Sequence, residues 1–166
     1  PIVFQAESGA TTKSINVGTE SSPADYVSVK GFRLDNSLSF AMQVTGSHNL
    51  LEDNHIYFAA DGGIVLLIPP NNPSRTSDNV LKNNKIEKCA QFGIDVRGRD
   101  NRIEDNEVWG TIQHHPNRVS PSWADADGMH FHGSGHTFTG NYIHDITFDD
   151  SENEDPHIDC FQTFDG

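Results

Sequence analysis

The chain has 166 residues, 34% of them hydrophobic, and 11 Lys and Arg against 24 Asp and Glu give a formal net charge of −13 at pH 7. This length predicts one domain, residues 1–166. The negative charge argues against nucleic acid as a partner, because phosphates would be repelled. Two cysteines supply no disulfide framework and are predicted to be buried thiols. The sequence has no run of 18 apolar residues, the pattern that would predict a membrane-spanning helix.

The first elements along the chain are short strands. The chain opens on the strand pattern PIVFQAE, and residues 25–44 alternate apolar and polar side chains in short runs. From residue 49 one template recurs: Asn, any residue, an aliphatic residue or Phe, two residues, Asn, any residue, Ile or Val. The four copies are NLLEDNHI, NVLKNNKI, NRIEDNEV and HTFTGNYI, with His136 in place of the first Asn in the last copy.

The second Asn of each copy is separated from the next by 30, 22 and 35 residues, at Asn54, Asn84, Asn106 and Asn141. The unit is therefore about 22 residues, lengthened in places by insertions. A unit this short cannot bury a face alone, so copies must stack as hydrogen-bonded rungs. We expect these Asn residues to be structural: each tolerates a left-handed backbone at a corner, and its amide can bond the equivalent amide one rung away.

These repeats resemble those of the right-handed parallel β-helix proteins of the pectate-lyase-like superfamily. The predicted fold class is all-β: a right-handed parallel β-helix, or β-solenoid, with rungs of about 22 residues and loop insertions at the late rungs. PIVFQAESG resembles an early rung just after the N-terminal cap of such proteins. The missing initiator Met and the terminal FQTFDG predict a fragment that lacks one or both end caps, and open strand edges favour end-to-end self-association.

Two long insertions mark the late units, and insertions in a solenoid often carry function. Extended loops are predicted at about residues 109–127 and 147–156. Both interrupt the repeat at the same corner, so the loops should project side by side from one edge of the coil. Trp123, in the first loop, suits stacking on a sugar ring.

The segments after these loops, DADGMHFH and HIDCFQ, can stack in two registers. The first sets Asp127 opposite Asp159 and forms a column of Asp95, His130 and Gln162. The second stacks Asp95, His130 and Asp159. We favour the first register, which places two aspartates about 5 Å apart, close enough for one carboxylate to raise the pKa of the other or for both to bind a cation.

The resemblance implies a carbohydrate-active protein, secreted, periplasmic or at the cell surface. It would be a polysaccharide lyase or glycoside hydrolase that acts on a polysaccharide or oligosaccharide, with or without uronate units, along a groove beside the late-rung loops. Hydrolysis needs one carboxyl group as acid and another as nucleophile or base. Elimination from a uronate needs a base for the C5 proton and a positive group at the carboxylate.

The candidate residues follow from these two chemistries. The candidate catalytic residues are Asp127, His130, His157 and Asp159. The candidate substrate-binding residues are Arg97, His132, Trp123 and Gln162. Asp127 and Asp159 are also the candidate ligands of a metal ion, for which Ca²⁺ is the expected cofactor.

Two alternatives stay open. His130 and His132 can present two imidazoles on one strand face, as a transition-metal site would require, with Asp127 or His157 as a third ligand. The other alternative is a non-enzymatic β-solenoid that serves as a binding, adhesin or structural module, in which the His and Asp columns are solvated surface. Convergence of Asp127, His130 and Asp159 on one groove would favour an enzyme.

Overall fold

The computed structural model describes residues 1–117, 125–147 and 158–164. Within these ranges the chain forms short strands and one 3₁₀ turn, Pro73–Arg75, which lies between the ninth and tenth strands. The strands are β1 Ile2–Gln5, β2 Thr11–Thr12, β3 Ile15–Val17, β4 Val27–Lys30, β5 Arg33–Asp35, β6 Phe40–Val44, β7 Leu50–Glu52, β8 His55–Tyr57, β9 Gly62–Leu66, β10 Val80–Lys82, β11 Lys85–Glu87, β12 Phe92–Val96, β13 Arg102–Glu104, β14 Glu107–Trp109, β15 Asp127–His132, β16 Thr137–Thr139, β17 Tyr142–His144 and β18 Phe161–Phe164.

The strands repeat in groups of three, and each group is one rung of a coil. Strands at the same place in successive rungs pair in parallel and build three sheets of six strands. The first sheet runs β1-β4-β7-β10-β13-β16, the second runs β2-β5-β8-β11-β14-β17, and the third runs β3-β6-β9-β12-β15-β18. The predicted all-β parallel β-helix is confirmed. None of the described residues belongs to a helix long and apolar enough to cross a membrane.

The core consists of apolar columns inside the coil, one for each sheet. The strand registers stack one inward side chain of each rung on that of the next, and these side chains are at most 1% exposed. Each fully buried side chain of this size stabilises the fold by roughly 1.5–3 kcal/mol. The columns contain Val29, Leu51, Leu81 and Ile103 in the first sheet, Leu34, Ile56, Ile86 and Val108 in the second, and Met42, Ile64, Ile94 and Met129 in the third.

Two asparagine ladders run along the corners before the first and second sheets. In the second ladder, Asn84 Oδ1 accepts hydrogen bonds from the backbone N–H and the side-chain amide of Asn54, at 3.1 and 3.0 Å. The Asn84 side-chain amide donates in turn to Asn106 Oδ1 and to the Leu51 carbonyl, both at 2.9 Å. Asn141 continues the ladder beyond Asn106. The predicted amide-to-amide bonding between rungs is confirmed.

The prediction that the ladder asparagines tolerate a left-handed backbone at the corner was wrong about the position. The left-handed residue is the one before each ladder Asn, for example Asp53 with φ 57° and Asn83 with φ 52°. The reason is that the ladder side chain must point into the coil to reach its neighbours, so the preceding residue makes the turn. Asp and Asn accept this conformation more readily than most residues.

The connection between β9 and β10 is tied to an earlier rung by an ion pair. The Arg75 guanidinium donates to both oxygens of Asp25, at 2.8 and 2.6 Å, and the Ser47 backbone N–H donates to Asp25 Oδ1 at 2.8 Å. The hydrogen bond from Arg75 is the largest effect on the Asp25 carboxyl and lowers its pKa. The connection therefore clamps rungs that are 50 residues apart in sequence.

The two cysteines differ, in contrast to the prediction that both are buried. Cys89 is buried, which raises the pKa of its thiol to about 12. Cys160, just before β18, is exposed. β18 is the edge strand of the third sheet, and the Cys160 side chain beside it stays exposed.

Replacement of Asn84 by Ala should lower the free energy of unfolding by about 2–4 kcal/mol, because it leaves the buried Asn54 N–H and Leu51 carbonyl without side-chain partners. Urea denaturation measures this change. Asn71→Ala, in an exposed loop, is the matched control and should change stability by less than about 0.5 kcal/mol. Equal effects of the two substitutions would contradict a structural role of the ladder.

Replacement of Arg75 by Met should flatten the acid limb of the stability profile. The folded-state pKa of Asp25 is lowered, so its stabilising effect is present above the unfolded-state pKa of about 3.9 and is lost as the pH falls through the folded-state value. Melting temperatures between about pH 6 and pH 2.5 should therefore fall more steeply for the wild type than for Arg75→Met. Parallel profiles would show that the ion pair contributes nothing.

Candidate functional site on the third sheet

Three adjacent strands of the third sheet, β12, β15 and β18, carry or lie within two residues of six of the eight predicted site residues. Their register pairs Asp95 with His130 and His130 with Gln162, so these three residues form one column along the coil. The same register sets Asp127 opposite Asp159. It is the register that the sequence analysis favoured.

A buried aspartate at the first position of β15 holds His130. Asp127 has no exposed surface, and it follows Ala126, whose φ of 64° turns the chain into the strand. The His130 Nε2–H donates to Asp127 Oδ2 at 2.6 Å, and the Asp159 backbone N–H donates to Asp127 Oδ1 at 2.7 Å. Both carboxylate oxygens of Asp127 therefore have partners. The other ring nitrogen of His130, Nδ1, is not bonded to Asp127.

A glycine beside Asp127 lets β18 approach β15. A Cβ atom at Gly128 would lie 2.6 Å from the Cys160 carbonyl oxygen and 2.7 Å from Ile143 Cγ2. Any side chain at this position would push the last rung away. The bond between Asp127 and the backbone of Asp159 therefore depends on Gly128.

Aromatic rings enclose His130 from both neighbouring rungs. The ring centroids of Phe92 and Phe164 each lie 5.1 Å from that of His130, which is 5% exposed. Phe164 also stacks on His132, with centroids 4.5 Å apart and planes at 7°. This apolar setting strengthens the Asp127–His130 hydrogen bond, because the effective dielectric constant is low.

Asp95 is a second buried carboxylate in the site, and it is only half satisfied. Its side chain is 1% exposed. Arg97 Nε and Nη2 both donate to the same oxygen, Asp95 Oδ2, at 2.9 and 2.6 Å. Asp95 Oδ1 is buried and has no hydrogen-bond partner. His132 Nε2 lies 3.6 Å from it, too far for a hydrogen bond.

His132 forms the partly exposed edge of the site. Burial is the largest effect on its imidazole and lowers its pKa, the Asp95 carboxylate opposes this shift, and Arg97 and His130 lower the pKa further. His132 is therefore mainly neutral at pH 7. Its side chain is 27% exposed and that of Arg97 is 38% exposed, so solvent and ligands can reach both.

Both oxygens of Asp127, one of the two predicted metal ligands, already accept hydrogen bonds. Ca²⁺ takes six to eight oxygen ligands, whereas both oxygens of Asp127 are engaged by His130 and by the backbone of Asp159. In the ranges that the structure describes, no group of three or more His, Cys, Asp or Glu residues is placed to hold a metal ion. The calcium and transition-metal sites stay sequence predictions.

The two late insertions leave the coil at the same corner. The connections β14–β15 and β17–β18 both pass from the second sheet to the third, and residues of both line one cavity of about 240 Å³. Its walls include Thr111, Gln113 and His114 from the first connection and Thr147 from the second. Residues 118–124 and 148–157, with the predicted Trp123 and His157, lie outside the described residues.

The structure brings five predicted site residues together on the third sheet: Asp127, His130, His132, Arg97 and Gln162. Asp159 takes part through its backbone N–H only. The Asp159 side chain is exposed and does not form a carboxylate pair with Asp127 in the contacts described above.

Two further residues belong to the site: Asp95, which the sequence analysis set in the column of His130 without making it a candidate site residue, and Phe164, which it did not mention. Asp95 carries a sequence signal, since it is aligned with His130 in the repeat. Phe164 carries none, because an outward Phe on a strand resembles a core residue.

A further cavity lies away from this face. It measures about 380 Å³ and opens inside the first rung. Apolar side chains line it, among them Phe4, Ile15, Val17, Val27, Val29 and Phe32. No predicted site residue is part of its wall, so it has no bearing on the chemistry of the third sheet.

The architecture defines a parallel β-helix protein with a His- and Asp-rich site on one sheet. A family model described as "Right handed beta helix region" matches residues 10–113, more than half of the chain, and the chain belongs to this family. No curated protein and no solved structure matches it. The matched region ends before β15, so Asp127, His130, His132 and Gln162 lie beyond it.

Asp127→Ala should lower the free energy of unfolding by about 2–4 kcal/mol, because the buried His130 Nε2–H and the Asp159 backbone N–H both lose their acceptor. Asp159→Ala removes an exposed carboxylate, leaves that backbone N–H in place, and should cost less than about 0.5 kcal/mol. Urea denaturation of both variants measures the difference. Similar losses would mean that the two aspartates act as an equivalent pair.

Proposed function

We propose that the third-sheet face around His130 binds and cleaves a polysaccharide or oligosaccharide, as a glycoside hydrolase or a polysaccharide lyase would. The finer resemblance to the pectate-lyase-like superfamily and a location outside the cytoplasm are part of this proposal. The observation that carries it is the hydrogen bond of 2.6 Å between buried Asp127 and His130, next to the half-satisfied Asp95. A buried, oriented His–Asp pair beside charged and polar groups is typical of acid–base sites.

His130 is the proposed general base or acid. Asp127 accepts the hydrogen bond from the Nε2–H and so fixes the tautomer in which Nδ1 carries the lone pair that can take a proton from water or from a sugar carbon. In this role Asp127 is a positioning residue, because both of its oxygens are occupied. His132, mainly neutral at pH 7, is the second group that can exchange a proton on this face.

Arg97 and Gln162 are the proposed substrate-binding groups. The Arg97 guanidinium uses Nε and Nη2 for Asp95, which leaves Nη1 and its two N–H donors to face a ligand. Gln162 lies one rung beyond His130 in the same column. The two groups would therefore contact a chain that runs along the coil axis on either side of His130.

A non-enzymatic binding or structural module is the second candidate function. The observation that favours it is the complete bonding of Asp127, which holds His130 of its own strand β15 through one oxygen and the Asp159 backbone, just before β18, through the other. In that case the pair serves stability alone.

The test is a depolymerisation assay on neutral and uronate polysaccharides, with two readouts. New reducing ends report either reaction, and ultraviolet absorption by a conjugated double bond reports elimination only. We expect wild-type protein to release reducing ends, and His130→Gln to lower kcat/KM by roughly 10²–10⁴-fold with an unchanged circular dichroism spectrum. His55→Gln, on the outer face of the second sheet, should retain full activity.

Three results would decide against parts of this proposal. Full activity of His130→Gln would remove His130 from the chemistry. Retention on an immobilised glycan without any new reducing ends would favour the binding module. If the protein is neither retained on the glycan nor able to cleave it, the carbohydrate proposal is wrong.

A further inference from the structure

Two hydrogen-bond acceptors without donors flank His130 in the same column. Asp95 Oδ1, one rung before His130, and Gln162 Oε1, one rung after it, are both buried and have no hydrogen-bond partner. Two strand spacings separate the two residues, about 10 Å along the coil axis. The proton-transfer group therefore lies between two unused acceptors.

The unpaired oxygen of Asp95 is a costly feature for a folded protein. A buried carboxylate needs hydrogen-bond partners, and an unmet acceptor of this kind is rare in native structures. The Arg97 guanidinium neutralises the charge but reaches only Oδ2. His132 is too distant to donate to Oδ1 and, with 27% of its side chain exposed, is the group that a ligand would displace to reach it.

We infer that the sugar units bound at this column are neutral, and that their hydroxyl groups donate to Asp95 Oδ1 and Gln162 Oε1 on the two sides of His130. This inference deepens the proposed function and rests on it. Asp95 sets the requirement for a donor, because its carboxylate can only accept. The Gln162 amide can turn and present either its oxygen or its nitrogen.

A uronate fits this column poorly. Its carboxylate has no proton to donate at pH 7 and would approach the unpaired oxygen of Asp95, which repels it. Arg97 already balances the charge of Asp95, so its remaining Nη1 donors can bond a ligand but do not offset the charge of a second carboxylate.

A neutral substrate also selects between the two reactions. Without a carboxylate beside C5, the C5 proton is not acidic enough for elimination, so cleavage proceeds by hydrolysis. The oxygen of water bonds to the anomeric carbon, the glycosidic C–O bond breaks, and one proton of that water ends on the leaving oxygen. The expected product is a new reducing end without a double bond.

The experiment is isothermal titration calorimetry with oligosaccharides of glucose, xylose, mannose and galactose, and with oligogalacturonate of the same length. Wild-type protein should bind at least one neutral series more tightly than oligogalacturonate. Asp95→Asn keeps the shape but places an amide where the acceptor was, and should weaken neutral binding roughly tenfold or more, the effect of losing a charge-assisted hydrogen bond. Gln162→Met, which removes the second acceptor, should weaken it several-fold.

Asp35→Asn is the matched control. Asp35 on the second sheet also bonds an arginine through Oδ2, with Arg33 Nε at 2.9 Å, and also has a buried Oδ1 without a hydrogen-bond partner. Its side chain is 31% exposed, however, and it lies on a different sheet from His130, so its replacement should leave glycan binding unchanged. Melting curves verify that each variant is folded. If Asp95→Asn does not fold, the Gln162→Met variant and the preference of the wild type for neutral over uronate ligands still test the inference.

The outcomes separate the inference from the proposed function. Tighter binding of oligogalacturonate, or unchanged neutral binding by Asp95→Asn or Gln162→Met, would overturn the neutral-sugar inference and leave a carbohydrate-active protein. If the wild type binds none of these oligosaccharides, both the inference and the proposed function fail.

Discussion

Every rung of this coil must present its backbone polar groups to the next rung in register, and the rest of the structure follows from that constraint. The strands satisfy it with parallel ladders. The corners cannot, so buried asparagine amides complete the hydrogen bonds there. Because each rung copies the positions of the last, an outward side chain lies over its counterpart one strand spacing away, and functional groups are arranged in columns.

The candidate site uses this rule and departs from it at one corner. Asp95, His130 and Gln162 are a column of the ordinary kind, set by strand pairing. Asp127 lies where the long connection after β14 re-enters the third sheet, and its carboxylate bonds a side chain of its own strand and the backbone of the next rung. One buried group thus both orients the imidazole and attaches the last strand, which couples local stability to the geometry of the site.

The two buried carboxylates differ in how completely they are hydrogen-bonded. Asp127 has a partner for each oxygen, so nothing in its surroundings requires a ligand. Asp95 has a partner for one oxygen only, although it is equally buried. Folding alone would favour a donor beside Asp95 Oδ1, and a ligand that supplies one restores the missing bond.

The sequence by itself determined the period of about 22 residues, the stacked parallel β-sheets, the asparagine ladders and the shared corner of the two insertions, because stacking imposes one pattern on every rung. It also brought His130 and Gln162 into one column. The tertiary structure alone decided that Asp127 bonds His130 instead of facing the carboxylate of Asp159, that the turn residue precedes each ladder Asn, and that Asp95 Oδ1 lacks a donor. These outcomes depend on side-chain rotamers and on differences of about 1 Å in atomic positions at the corners, which decide whether a hydrogen bond forms. A repeat that specifies only the alternation of apolar and polar residues does not encode them.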